Sequence, residues 1–154
     1  MSKSHGTVRA LKIIGENDMV EKGPILIIDD DPDFTDTLSQ ILTTEGYITD
    51  IAHTGAEAML KIENEFYPLL LIDVNLPDGD GIDMIKLLDW TEPKIRKIII
   101  TGYPSIENAK KAVTAGADDY MVKPIQVHDL LKKLSEQLHI WESEIRERYI
   151  SLEM

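Results

Sequence analysis

Cysteine is absent from the 154 residues. That excludes disulfides, thiolate zinc sites and a cysteine nucleophile, and it accords with a cytoplasmic location, which is the expectation here. No apolar run is long enough to span a bilayer, and the opening MSKSHGTVRALK lacks the pattern of a secretory signal. The four histidines, His5, His53, His128 and His139, have no ligand spacing. No Ser-His-Asp arrangement and no glycine-rich phosphate loop stands out. Nor does a basic patch offset the acids: 16 Lys and Arg stand against 28 Asp and Glu, a formal net charge of -12. Such a chain repels nucleic acid and draws cations and basic protein surfaces, so neither direct nucleic-acid binding nor membrane association is expected.

What is present is regular from Gly23 onward. PILIID is a short β-branched apolar run bounded by a proline and acids, as a fully buried strand would be. DPDFTDTLSQILTTEG then places Phe34, Leu38, Ile41 and Leu42 at helical spacing, with Pro32 in the first turn and Gly46 as a stop. The alternation continues with the strand YITDIA and a helix capped by Thr54 with Ala58 and Ile62 on one face. LLLID precedes a helix GIDMIKLLDW facing inward through Ile82, Ile85 and Leu88. KIIIT precedes a helix opened by Ser105 and closed by Gly116, and DYMVK precedes a long fifth helix from Val127. Five strands alternating with five helices predict a parallel sheet covered on both faces, an α/β doubly wound fold. The 22 residues before Gly23 read as a polar N-terminal extension with one short apolar stretch, Val8 to Ile14.

In such sheets ligand chemistry sits beyond the carboxyl ends of the strands. There the sequence collects Asp29, Asp30 and Asp31 after the first strand, Asp73 at the end of the third, Thr101 at the end of the fourth and Lys123 after the fifth. Carboxylates gathered this closely repel unless a cation lies among them. Oxygen-only donors favour a hard divalent ion, which points to Mg²⁺. A hydroxyl and an ammonium beside one carboxylate are what a phosphoryl group on that carboxylate needs, so Asp73 is the candidate nucleophile, with Thr101 and Lys123 reading the phosphate.

Taken together, ILIIDDDPDF, LLLIDVNLPDGDGIDMI, IIITGY and DDYMVKPI resemble the receiver domain of two-component response regulators, of the stand-alone, chemotaxis-regulator-like type. The resemblance covers residues 23–138 and leaves 139–154 as a C-terminal helical extension. It implies a flavodoxin-like sheet of strand order 2-1-3-4-5. It also implies that Asp73 is phosphorylated from a sensor histidine kinase and that Asp29, Asp30, Asp73 and the backbone carbonyl of Asn75 hold Mg²⁺. Thr101 and Tyr120 would be the switch pair, Lys123-Pro124 a cis peptide, and Gly102 the small residue that keeps the acceptor accessible. The chain would then be a regulatory domain, not an enzyme with its own substrate, although it assists its own phosphotransfer and autodephosphorylation. Its output protein is unknown. A homodimer through the face of the fourth helix, fifth strand and fifth helix, or through the C-terminal helix, is a further expectation.

Other readings compete. Asp29 and Asp30 could cap the first helix. Asp31 reads as a cap or solvated acid, and Asp78, Asp80 and Asp83 as turn and helix-end charges. An EF-hand fails on count, since its glycine would fall on Asp78 and its glutamate on Met84. A haloacid-dehalogenase-type phosphatase shares the aspartate, Thr and Lys set but needs an aspartate where Asn75 stands. A degenerate receiver that only docks partners is the third reading. The series Leu134, Leu138, Trp141, Ile145, Tyr149 resembles a heptad seam, which leaves two readings of the tail: a helix folded back on its own domain, or a dimerising helix. No DNA-binding module follows, so the chain reads as a stand-alone receiver or a piece of something longer.

Overall fold

The computed structural model describes residues 23–91 and 94–150. The N-terminal extension, residues 1–22, lies outside the described residues, as does the end of the C-terminal extension, residues 151–154. Five strands, β1 Ile25–Ile28, β2 Thr49–Ala52, β3 Leu69–Asp73, β4 Arg96–Thr101 and β5 Asp119–Val122, form one sheet. Its order is β2-β1-β3-β4-β5 and every pair is parallel. This is the order the resemblance implies. The two central strands, ILII and LLLID, are buried at every position, so both faces need cover.

The cover comes from α1 Pro32–Thr44, α2 Gly55–Asn64, α3 Gly81–Lys86, α4 Ile106–Ala115 and α5 Val127–Ile145, the last continuing as a π-helical turn, Arg146–Ile150. Alternate residues of each strand face opposite layers. Ile25 and Ile27 pack with Leu38 and Leu42 of α1 and Leu130, Leu134 and Leu138 of α5. Leu26 and Ile28 pack with Ala58, Ile62, Ile82, Ile85 and Ala112 of α2, α3 and α4. The helix starts are set by short polar side chains. Asp31 accepts from the amide of Asp33 at 3.0 Å, Thr54 from Glu57 at 3.0 Å and Ser105 from Asn108 at 3.0 Å. Gly46 and Gly116 follow their helices at φ +92° and +102°, the left-handed region where a side chain is strained.

Two elements differ from expectation. The third helix is shorter than GIDMIKLLDW suggests. Beyond Lys86 the backbone tightens into three-residue turns, Leu87 N–H to Met84 and Leu88 N–H to Ile85, and the Thr91 hydroxyl donates to the Leu88 carbonyl at 2.9 Å. Ile82, Ile85 and Leu88 are nonetheless buried as read. At the chain's other end the tail folds back. Leu134, Leu138, Trp141 and Ile145 are all at most 2% exposed, and the Trp141 ring lies 5.4 Å from that of Phe66. Arg96, at the foot of β4, reaches Gln137 at 2.8 Å, Asp118 at 3.1 Å and Glu144 at 3.7 Å. The apolar series is therefore packed against its own domain through Ile145. The side chain of Tyr149 lies outside the described residues.

Candidate functional site

The parallel register decides which side chains meet. Ile28 stands beside Ile72, Asp73 beside Ile100 and Thr101 beside Val122. The strands therefore end level, and Asp29, Asp73, Thr101 and Lys123 emerge at one edge of the sheet. Carboxylate oxygens of Asp29, Asp30 and Asp73 lie within 4.8 Å of one another. Asp29 is buried; one of its oxygens accepts from the Asp31 amide at 3.0 Å and the other from Lys123 Nζ at 2.7 Å. The same ammonium stands 4.1 Å from the centre of the Phe34 ring. Asp30 is exposed at the mouth of the cluster.

Asp73 is the strained member. It is 7% exposed, and its carboxyl is pushed up to about 6, first by burial and then by the charge of Asp29. Lys123 and the backbone N–H of Asn75 pull it the other way. Thr101 is fully buried, its hydroxyl accepting from the Tyr103 amide at 3.0 Å and its carbonyl from the Lys123 amide at 2.8 Å. The Lys123-Pro124 peptide is cis, as the resemblance implies. Tyr120 is half-buried, and its hydroxyl is shielded from solvent without a hydrogen-bond partner. The structure thus brings Asp29, Asp30, Asp73 and Lys123 into one cluster, with Thr101 at the adjoining strand end. Asn75 is exposed and contributes its amide to Asp73.

The donor set fits a hard divalent ion: among the described residues three carboxylates converge, no sulfur or imidazole is with them, and the single positive charge of Lys123 does not neutralise all three. The remaining loop acids have other work. Asp31 and Asp80 cap α1 and α3, while Asp78 accepts from Gly55 and Ala56 at 2.8 and 2.9 Å and so caps α2 from a distant loop. Sequence reasoning missed this last role, because its partners lie more than twenty positions away. It also missed Phe34 as a seat for Lys123, although that ring's place in the first turn after the acids was the available signal.

Gly81 lies directly behind the acceptor. A Cβ there would come 2.0 Å from the Asp73 carbonyl oxygen and 2.9 Å from Ile72 Cγ2. Because the obstacle is backbone in a central strand, it cannot give way cheaply. Gly81→Ala is expected to destabilise the fold by about 2–3 kcal/mol, at the upper end of ordinary overpacking. Urea denaturation of parent and variant measures it; a change below about 0.5 kcal/mol would mean the loop relaxes freely.

The profile of the response regulator receiver domain matches residues 25–135. The chain is 34% identical over 118 residues to the transcriptional regulatory protein ZraR of Klebsiella oxytoca, covering 77% of this chain and 27% of that protein. It is 36% identical over 110 residues to the acid tolerance regulatory protein ActR of Rhizobium meliloti (strain 1021), covering 71% and 57%. A CheY-like response regulator receiver domain protein from Methanospirillum hungatei JF-1 superposes with a TM-score of 0.75 at 45% identity, over 79% of this chain and 97% of that one. The beryllofluoride-activated NtrC4 receiver domain dimer superposes with a TM-score of 0.73 at 36% identity, over 77% and 98%. The chain spans about a quarter of ZraR but nearly all of these receiver structures. No helix among the described residues is long and apolar enough to cross a membrane. With its acid cluster at the sheet edge and its receiver-like order of strands, the chain belongs to the response regulator receiver domains, the phosphorylation-dependent switches of two-component systems.

Proposed function

We propose that Asp73 is the phosphoacceptor. The observation that carries this is the cluster itself: a buried carboxylate held at about 6, facing two further carboxylates, with Lys123 Nζ 2.7 Å from one of them. β3 fixes the direction of Asp73, and the carboxylate oxygen attacks the phosphorus of a phosphohistidine in line, the imidazole leaving. Asp29, Asp30, Asp73 and the carbonyl of Asn75 would hold Mg²⁺, which supplies charge neutralisation to the phosphoryl oxygens. Lys123 exchanges its bond to Asp29 for the phosphate, and Thr101 donates its hydroxyl. Gly102, whose added Cβ would meet only Lys123 Cδ at 3.8 Å, leaves the approach open.

The switch follows from the same atoms. When Thr101 turns its hydroxyl toward the phosphate it gives up the Tyr103 amide, and Tyr120, whose hydroxyl now has no partner, turns with it. The face of α4, β5 and α5 then changes its affinity for an output protein by a shift of population. That face exposes Ile106, Val113, Val122 and Val127, and it is where a homodimer would form; the NtrC4 receiver named above was solved as a dimer. A groove of about 280 Å³ lined by Phe34, Ile41, Pro124, Ile125 and Val127 opens beside Lys123 and suits the sensor histidine kinase helix that carries the phosphohistidine. Hydrolysis of the acyl phosphate at the same site ends the signal. The domain acts in the cytoplasm, and at a net charge of -12 it does not itself bind nucleic acid.

Intact mass after incubation with acetyl phosphate tests the chemistry. A single gain of about 80 Da is expected with Mg²⁺ and none without it. Neither an adduct nor release of inorganic phosphate, under conditions where Mg²⁺ demonstrably binds, would refute the assignment in favour of a docking-only domain.

A further inference from the structure

The hairpin that follows the acceptor strand pairs Asn75 with Asp80 and Leu76 with Gly79, and it is gripped from both sides. On one side Asp78 closes the N-terminus of α2. On the other, Lys111 of α4 reaches Asp80 at 2.9 Å and Asp83 at 3.3 Å. Asp80 is no peripheral acid. It opposes Asn75 in the hairpin, its other oxygen caps α3 through the Ile82 amide at 2.7 Å, and the next residue, Gly81, donates to the Val74 carbonyl at 2.8 Å. Lys111 therefore grips the loop built directly on Asp73.

Apart from this anchor α4 is held mainly by Ala112 and by Ala115, which packs partly against the same core. Ala112 is its one buried residue, while Ile106 and Val113 stand 77% and 74% exposed. Its N-terminus is joined to Thr101 by Gly102 to Ser105, all exposed, a four-residue link through which displacement of Thr101 would reach α4. The helix thus lies between a lead from the phosphate-reading hydroxyl and an ionic anchor to the acceptor loop.

We infer that Lys111 is a positioning residue that latches α4 to the acceptor hairpin in the unphosphorylated protein and so opposes the switched state. The inference rests on the reading of Asp73 as phosphoacceptor. Part-exposed ion pairs are individually weak, but a two-acid anchor on a sparsely buried helix biases a population when the competing states are close. By linkage, a contact that disfavours the switched state also disfavours the phosphorylation that drives it.

Hydrogen exchange of the α4 amides and the phosphorylated fraction at a fixed acetyl phosphate concentration with Mg²⁺ test this together. In Lys111→Met the unphosphorylated α4 is expected to exchange about two- to fivefold faster than in the parent, with α1 unchanged. The ratio of phosphorylated to unphosphorylated protein should rise by a similar factor, which loss of a merely structural contact would not produce. Lys111→Arg should restore both values, and Asp83→Asn, which leaves the α3 cap intact, should reproduce part of the effect. Unchanged α4 exchange, or a phosphorylated fraction equal to or below that of the parent, would overturn the latch. If no variant takes up a phosphoryl group, the reading of Asp73 fails, while α4 exchange still decides whether Lys111 anchors the helix.

Discussion

Asp73→Asn is expected to gain no phosphoryl group from acetyl phosphate while becoming more stable than the parent at pH 7. The loss of chemistry is complete because a carboxamide has no anionic oxygen to attack phosphorus. The gain in stability follows from the position of the carboxyl. Burial and the neighbouring Asp29 raise it from 3.8 to about 6. An acid whose folded value lies above its unfolded one binds its proton more tightly when folded, so stability falls as pH rises from about 4 through about 6. At pH 7 the whole penalty is present. Two pH units at about 1.4 kcal/mol each set a ceiling near 3 kcal/mol, and relaxation around the site brings the expected difference to about 1–3 kcal/mol. Asparagine keeps the volume and can accept the Asn75 amide, but it carries no charge to repel Asp29. Urea denaturation of both proteins with chelator present should therefore show the variant ahead at pH 7 and level with the parent below pH 4. Adding Mg²⁺ should stabilise the parent more than the variant, because on the proposed reading Asp73 is one of the carboxylates that would hold the ion. A variant less stable than the parent at pH 7 without metal would mean that the Asp73 carboxylate is fully satisfied by its neighbours, and the strained site described above would be wrong.

The legibility of this site in the sequence has a physical basis. Apolar runs that end in a charged residue mark buried parallel strands, because nothing but a strand tip lets LLLI be fully buried and Asp73 reach an edge. The parallel two-faced sheet, with Asp29, Asp73, Thr101 and Lys123 at its strand ends, follows from that one pattern repeated, whereas the order of the strands came from the family resemblance. Local polar rules recovered Asp31, Thr54 and Ser105 as helix caps, since a cap and its amide are neighbours in sequence. What stayed hidden depends on contacts between distant positions. Asp78 capping α2, Lys111 gripping Asp80 and Lys123 resting on Phe34 leave no periodic trace. The early end of α3 was hidden for a different reason. Leu87 and Leu88 continue the helical apolar pattern, and it is the backbone bonds from Leu87 to Met84 and from Leu88 to Ile85 that show the turns tighten there.

Trp141→Ala decides between the two readings of the C-terminal helix. Trp141 is 1% exposed, tilted 55° against the Phe66 ring, and its helix is held to the foot of β4 by the bonds from Arg96 to Gln137 and Glu144. Removing so large a buried side chain should destabilise the protein by about 3–5 kcal/mol. At about 2–4 °C per kcal/mol for a chain of this size, the melting temperature should drop by roughly 10 °C. Trp141→Phe is the informative companion. The indole N–H is buried without an acceptor, so replacing it with an apolar ring loses volume but relieves an unpaired donor, and a change below about 1.5 kcal/mol is expected. Thermal unfolding with sedimentation at several protein concentrations separates the alternatives. A helix folded on its own domain predicts a large loss of stability that is independent of concentration. A dimerising helix predicts the reverse, a variant that unfolds much as the parent monomer does and no longer associates. The packing favours the first, because the surface a partner helix would need is already filled by Phe66 and by the domain's own sheet. On the proposed reading a homodimer would use the α4, β5 and α5 face, and the Lys111 anchor on α4 would then couple assembly to phosphorylation.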